Sequence, residues 1–158
     1  LTHKYFDGIV PEFDSLDKID NEILKRTYEI PKLISDSLDI YKFRYSINLL
    51  IDLARLGNKY LAEEEPWKLY KLGNIERVKK IMYVSLQLCG LLSLLSEPFL
   101  PNASKKIRQI LNIKETKWTE LTFSNPVLKE KKQINKPYLI FRKIEDEEIK
   151  NQINKLNC

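Results

Sequence analysis

The densest chemistry in this sequence lies in one short run, Asn58-Lys59-Tyr60-Leu61-Ala62-Glu63-Glu64-Glu65-Pro66-Trp67-Lys68. Pro66 disfavours helical geometry in the residue before it, so a helix ends there and Trp67 stands at a corner. Lys68 and Lys71 lie close by in the chain. A fixed aromatic face beside cations is what an unstacked nucleic-acid base needs: stacking contributes about 1–3 kcal/mol per base, and ammonium groups hold phosphates. The same residues also suit a plainer role, with the indole plugging one end of a core and its N–H meeting a carbonyl. Asn58 and Tyr60, expected on the same helix as Trp67, divide likewise between ligand contact and packing that fixes the corner.

Catalytic groups are scarce. His3 is the only histidine, so a Ser-His-Asp or Cys-His arrangement has one candidate, near a chain end and expected to be exposed or loosely packed. Gly8, Gly57, Gly73 and Gly90 each stand alone, which leaves no Gly-rich phosphate loop. Cys89 falls in an apolar run and reads as a small inert hydrophobe. Cys158 is the last residue rather than the fourth from the end, so it is no prenylation signal. Glu63, Glu64 and Glu65 are adjacent and point around a helix end instead of converging. Two cysteines and one histidine exclude a disulfide framework and a Cys/His zinc site. No catalytic residue and no metal are expected.

The 158 residues, 43% hydrophobic and 31% charged, describe a globular domain large enough for a real core. The charge is unevenly distributed. Residues 1–65 carry a net −4, residues 66–118 a net +7 and residues 119–158 a net +2. A positive section behind an acidic front suits a polyanion such as RNA, although solvated lysine-rich helix faces give the same count. No secretory signal is visible. The most apolar run, residues 81–95, is 15 residues long and includes Gln87; it is too short to span a bilayer and reads as a buried helix. The expected setting is the cytoplasm, without a membrane partner. The chain opens Leu1-Thr2-His3 without an initiator Met, as a piece of something longer would.

Periodicity predicts an all-α helical bundle over 1–112, followed by a linker and C-terminal tail over 113–158. After an entry segment over 1–14, a helix capped by Asp14 or Ser15 runs to about Leu38. Its apolar positions are Leu16, Ile19, Ile23, Leu24, Ile30, Ile34 and Leu38, and Pro31 should kink or split it. A second helix fits 40–64, with Phe43, Ile47, Leu50, Ile51, Ala54 and Leu61 as its stripe. After a turn at Gly73 a third runs over 74–97, its seam formed by Val78, Ile81, Met82, Leu88, Cys89, Leu92 and Leu95. A short fourth, over 102–111, begins at the capping residue Asn102. Lysines then accumulate and periodicity fades to 136. The apolar stretch Pro137-Tyr138-Leu139-Ile140-Phe141 should dock against something, and residues 145–156 should form a terminal helix. Trp118 is expected to cover the bundle.

Leu53-Ala54-Arg55-Leu56-Gly57-Asn58-Lys59-Tyr60 followed by Glu65-Pro66-Trp67-Lys68 resembles the anticodon-binding domain of methionyl-tRNA synthetases. Phe6-Asp7-Gly8-Ile9-Val10-Pro11 upstream and Glu97-Pro98-Phe99-Leu100-Pro101 downstream support the resemblance. Pro137-Tyr138-Leu139-Ile140-Phe141-Arg142-Lys143-Ile144-Glu145 is similar to the segment with which that family's chain returns toward its catalytic half. The likeness covers nearly all of the chain, in order.

The resemblance implies a bundle of the class I synthetase type that reads the CAU anticodon of methionine tRNA. Trp67 would stack on an anticodon base and Pro66 would shape its platform; Asn58, Lys68 and Lys71 complete the implied anticodon-binding set. The family ligates methionine to its tRNA with ATP in an N-terminal Rossmann-type domain, so the implied partners are methionine tRNA and that catalytic domain. This piece itself would need no cofactor and catalyse nothing alone. The family also reads the same base with an Asn and an Arg on a helix before the Phe-Asp-Gly loop. That helix is expected to end before Leu1, leaving both roles unfilled here. The competing readings are the helical domain of another class I synthetase and a helical protein-interaction module without RNA binding.

Overall fold

The structure, a computed structural model, describes residues 1–114, 118 and 126–156. Parts of the expected linker, and Cys158, lie outside them. The described residues form seven α-helices and no strand: α1 (Thr2–Phe6), α2 (Lys18–Asp39), α3 (Phe43–Glu64), α4 (Pro66–Lys71), α5 (Ile75–Leu95), α6 (Pro101–Ile110) and α7 (Asp146–Leu156). The all-α bundle is as expected.

The axis is α5. Val78, Ile81, Val84, Leu91 and Leu95 are fully buried, and α2, α3, α4 and α6 all pack against this helix. Its length and hydropathy would suit a membrane span, yet protein covers it nearly all round. Asn74 caps it, with its side-chain oxygen accepting from Arg77 N–H at 3.3 Å. Cys89, assigned to the seam by spacing, instead lies on the exposed side.

Four expectations for the bundle are corrected. The first long helix starts after Asp17, not Asp14 or Ser15; the Asp17 N–H donates to Asp20 Oδ2 at 3.1 Å. It runs unbroken through Pro31, which is buried, so the proline does not split it. The inner line of α2 includes Asp20, Thr27 and Ser37, polar residues whose partners lie within the fold: Thr27 Oγ1 donates to the Ile23 carbonyl at 2.8 Å, and Ser37 meets Ser46 of α3 at 2.7 Å. On α3 the buried stripe is Ser46, Leu50, Leu53 and Tyr60. Phe43, Ile47 and Ile51 are exposed instead. Finally α6 starts at Pro101, so Asn102 lies inside its first turn and is no cap.

The tail returns over the bundle. Val10 and Lys131–Lys132 exchange backbone hydrogen bonds of 2.9 Å, and Ile134 N–H donates to the Gly8 carbonyl at 2.8 Å. Gln87, fully buried in α5, receives Leu128 N–H at 3.0 Å and donates to the Leu128 carbonyl at 2.7 Å. Trp118 is partly buried against the core, as a cover would be. His3 is half-buried, not loose, and its Nε2 donates to the Asn135 carbonyl at 2.9 Å. The stretch expected to dock stays on the surface: Leu139 is 89% and Phe141 69% exposed. Among the described residues, its engaged groups are the Ile140 carbonyl and the Tyr138 hydroxyl, met by Lys106 and Gln109 of α6.

Candidate nucleic-acid interface

Everything at the Trp67 corner follows from how α3 is stopped. Because Pro66 excludes helical geometry before it, Glu65 turns left-handed, with φ 43°, and its N–H still closes α3 on the Leu61 carbonyl at 3.1 Å. Pro66 is then buried as the first residue of α4, where its missing N–H costs nothing. Lys68 and Leu69 N–H donate to the Glu65 carbonyl. After six residues Gly73 turns left-handed, with φ 79°, and α5 begins. This separate α4 was not expected. It places Trp67 on its own short helix, off the helix of Asn58 and Tyr60.

Trp67 is 38% exposed, so it is no plug sealed within the core. Leu69 is the α4 residue packed against the core. Lys68 pairs with Glu65 at 2.6 Å, an exposed ion pair of small net stabilisation that an arriving phosphate can compete with. Lys71 is exposed and makes no ion pair among the described residues. Asn58 is exposed on α3, across the Glu65 turn, and no hydrogen bond joins it to Trp67. Tyr60 resolves to packing, being 2% exposed with its hydroxyl donating to Asp20 Oδ1 at 2.5 Å.

Behind this corner is a charge network that sequence reasoning missed. Arg77 of α5 donates to Asp20 at 2.6 and 3.0 Å, to Asp17 at 2.8 Å and to Glu64 at 2.7 and 3.1 Å. Lys80 adds a 2.8 Å bond to Asp17. One guanidinium therefore ties the start of α2 to the last residue of α3, immediately before the turn that launches α4. Burial alone would lower the Arg77 pKa, but hydrogen bonds to Asp20 and Glu64 outweigh it and raise the pKa. The bond from Lys80 holds the Asp17 carboxyl below its usual range. Burial, and then the bond to Asp20, push the Tyr60 phenol well up. The one sequence signal was a lone arginine adjoining the apolar seam at Val78; its partner Asp20, 57 residues away, leaves no spacing to read.

A second missed contact brings α1 to the same corner. Tyr5 stacks on Tyr70 of α4, ring centroids 4.1 Å apart and planes 17° from parallel. The helix before the Phe-Asp-Gly loop had been expected to end before Leu1. Instead α1 runs directly into that loop, through a left-handed Asp7. Gly8 follows with φ 80°, and a Cβ there would stand 2.5 Å from the His3 ring, so both backbone and space require glycine. Among the described residues no group of His, Cys, Asp or Glu could hold a metal.

Comparison with known proteins agrees with this architecture. Residues 10–157 match the family model of the anticodon binding domain of methionyl tRNA ligase. The chain is 44% identical to a methionine–tRNA ligase of Christiangramia forsetii, covering all of this chain and 24% of that protein. It is 45% identical to that of Phocaeicola vulgatus, covering 99% of this chain and 23% of the other. The chain thus spans about a quarter of the length of these relatives. The fold superposes on apo Mycobacterium tuberculosis methionyl-tRNA synthetase with a TM-score of 0.80 at 19% identity, over 91% of this chain and 29% of that one. A helical bundle with a Pro-Trp corner, matched by that family over almost its whole length, belongs to the anticodon-binding domains of the methionyl-tRNA ligases.

Proposed function

We propose that this domain recognises the CAU anticodon of methionine tRNA, with the Trp67 indole stacking on an unpaired anticodon base. The observation that carries the proposal is the partly exposed Trp67 ring on a short helix held at both ends, by Pro66 and by Gly73. A preset aromatic face loses little freedom on binding a base. Lys71, and Lys68 once released from Glu65, hold the adjoining phosphates; Pro66 shapes the platform and Asn58 borders it. This domain binds no cofactor. Activation of methionine with ATP belongs to the catalytic part of the polypeptide, which is cytoplasmic. Residues 1–112 form the reading unit, and the tail over 113–158 presents the exposed side chains of 138–144 to the catalytic part.

The test is titration of the complete polypeptide with anticodon stem-loops that differ only in the anticodon. Preference for CAU by at least tenfold supports the proposal. Equal affinity for all stem-loops would reduce the domain to a non-specific RNA contact, and no affinity would favour a protein-interaction module. Lys68→Ala and Lys71→Ala should weaken every stem-loop alike, because phosphate contacts carry no sequence information.

A further inference from the structure

At the opposite pole of the α2–α3 hairpin, aromatic and basic side chains alternate in Tyr41-Lys42-Phe43-Arg44-Tyr45, and the Trp67 corner uses none of them. Phe43 was expected inside. Instead Tyr41, Phe43 and Tyr45 are 79%, 56% and 51% exposed. Tyr41 holds a left-handed φ of 59°, a conformation uncommon for a bulky side chain. Its ring meets that of Phe43 edge-on, with centroids 6.2 Å apart. Together with Lys42, Arg44, Tyr45 and Asn48 the two rings line an open hollow. No carboxylate lines it, although the surrounding half of the chain is net acidic. Lys42 and Arg44 make no ion pair among the described residues. On the same two helices Lys32, Arg55 and Lys59 each pair with a carboxylate about one turn away.

We propose that this hollow is a second RNA-binding site, taking one or two unstacked nucleotides with bases on Tyr41 and Phe43 and phosphates on Lys42 and Arg44. Charge complementarity selects the occupant. Aromatic faces with unpaired cations between them match the alternation of base and phosphate in a single strand. A second copy of the chain fits poorly, because a two-fold contact would set Lys42 and Arg44 of one copy against those of the other. Phe43 and Glu64, the two ends of the 22-residue α3, stand about 30 Å apart along it, so one base cannot serve both this hollow and the Trp67 corner.

This inference rests on the proposed tRNA function for its choice of probe. The complete polypeptide is titrated with a methionine tRNA transcript as wild type, as Tyr41→Ala/Phe43→Ala, as Lys42→Ala/Arg44→Ala, and as Trp67→Ala for reference. Each double variant should lose about tenfold in affinity, with its urea midpoint and molecular mass unchanged because all four side chains are exposed. The Lys42→Ala/Arg44→Ala slope of log affinity against log salt should be shallower by about 1.4, two single-strand phosphate contacts. Ultraviolet cross-linking should attach the transcript to the peptide holding residues 41–45. Unchanged affinity in both double variants, with Trp67→Ala weakened, would overturn the second site alone. Unchanged affinity in all three would overturn the tRNA reading as well. A changed mass or urea midpoint without an affinity change would assign the hollow to a protein interface and overturn the proposal.

Discussion

Asp20 is fully buried and accepts from Arg77, Tyr60 and its own cap partner, the Asp17 N–H. A buried carboxylate is tolerable only with such partners. Arg77→Ala removes the cation and should cost about 3–5 kcal/mol, the range for breaking a buried pair, read as a lower urea midpoint. Tyr60→Phe removes one hydrogen bond to a charged group and should cost about 1.5–3 kcal/mol. A variant of Arg77 as stable as the parent would show that the network is ornamental. The phenols give a pH dependence of definite sign. Burial raises the Tyr28 pKa from 10.0 to about 12, and burial with the bond to Asp20 raises that of Tyr60 further. A raised phenol pKa stabilises the fold fully below about pH 10, and that stability is lost as pH climbs to 12 and beyond. Burial also raises the Tyr83 pKa, so tyrosinate absorbance from Tyr28, Tyr60 and Tyr83 of the folded protein should appear only above the ordinary phenol range. Full ionisation of all eight tyrosines near pH 10 while the fold persists would contradict the burial of Tyr28, Tyr60 and Tyr83.

Among the elements, α5 was legible because its apolar residues run almost all round the helix and only a central position satisfies that. The end of α3 was legible because Pro66 acts locally. What could not be read depended on distant partners. Asp20 and Ser37 face inward toward Arg77, 57 residues on, and Ser46 of the next helix; Thr27 needs only the Ile23 carbonyl one turn earlier, but its inward position is set by the helices packed on α2. Of the apolar stripe expected on α3, Leu50 is buried and Leu61 packs on the core, but Phe43, Ile47 and Ile51 face outward because Ser46 and Tyr60 share the inner line. α4 is under two turns long, too short for periodicity; it exists because Pro66 starts it and α5 supports it. The Pro-Trp corner itself was readable, but not the Arg77 network or the Tyr5–Tyr70 stack beside it. At Leu128 the tail is clamped by one side chain, Gln87, that the sequence showed only as a polar interruption. Gln87→Leu removes both bonds to Leu128 and leaves its buried N–H and C=O unsatisfied, about 1–3 kcal/mol each. Hydrogen exchange at Leu128 should accelerate more than at Leu91; equal protection of Leu128 in variant and parent would refute the clamp.

For the molecule as a whole, part of the charge asymmetry is spent internally. Of the cations that make residues 66–118 positive, Arg77 and Lys80 are neutralised by Asp17, Asp20 and Glu64 of the acidic front, and Arg108 lies 3.7 Å from Glu97. Lys68 and Lys71 remain at the surface beside Trp67, so net charge overstates the field a polyanion would meet. The network instead supplies rigidity: it joins three helices at the end of the bundle from which α4 departs. The central proposal is that this frame presents Trp67 as a base-stacking platform, and one substitution in the complete polypeptide tests it. Trp67→Ala should leave thermal melting and methionine-dependent ATP–pyrophosphate exchange unchanged. The kcat/KM for charging methionine tRNA should fall roughly tenfold to a hundredfold, the loss of one stacked base. A stable Trp67→Ala polypeptide that charges methionine tRNA at the parental rate would contradict the proposal.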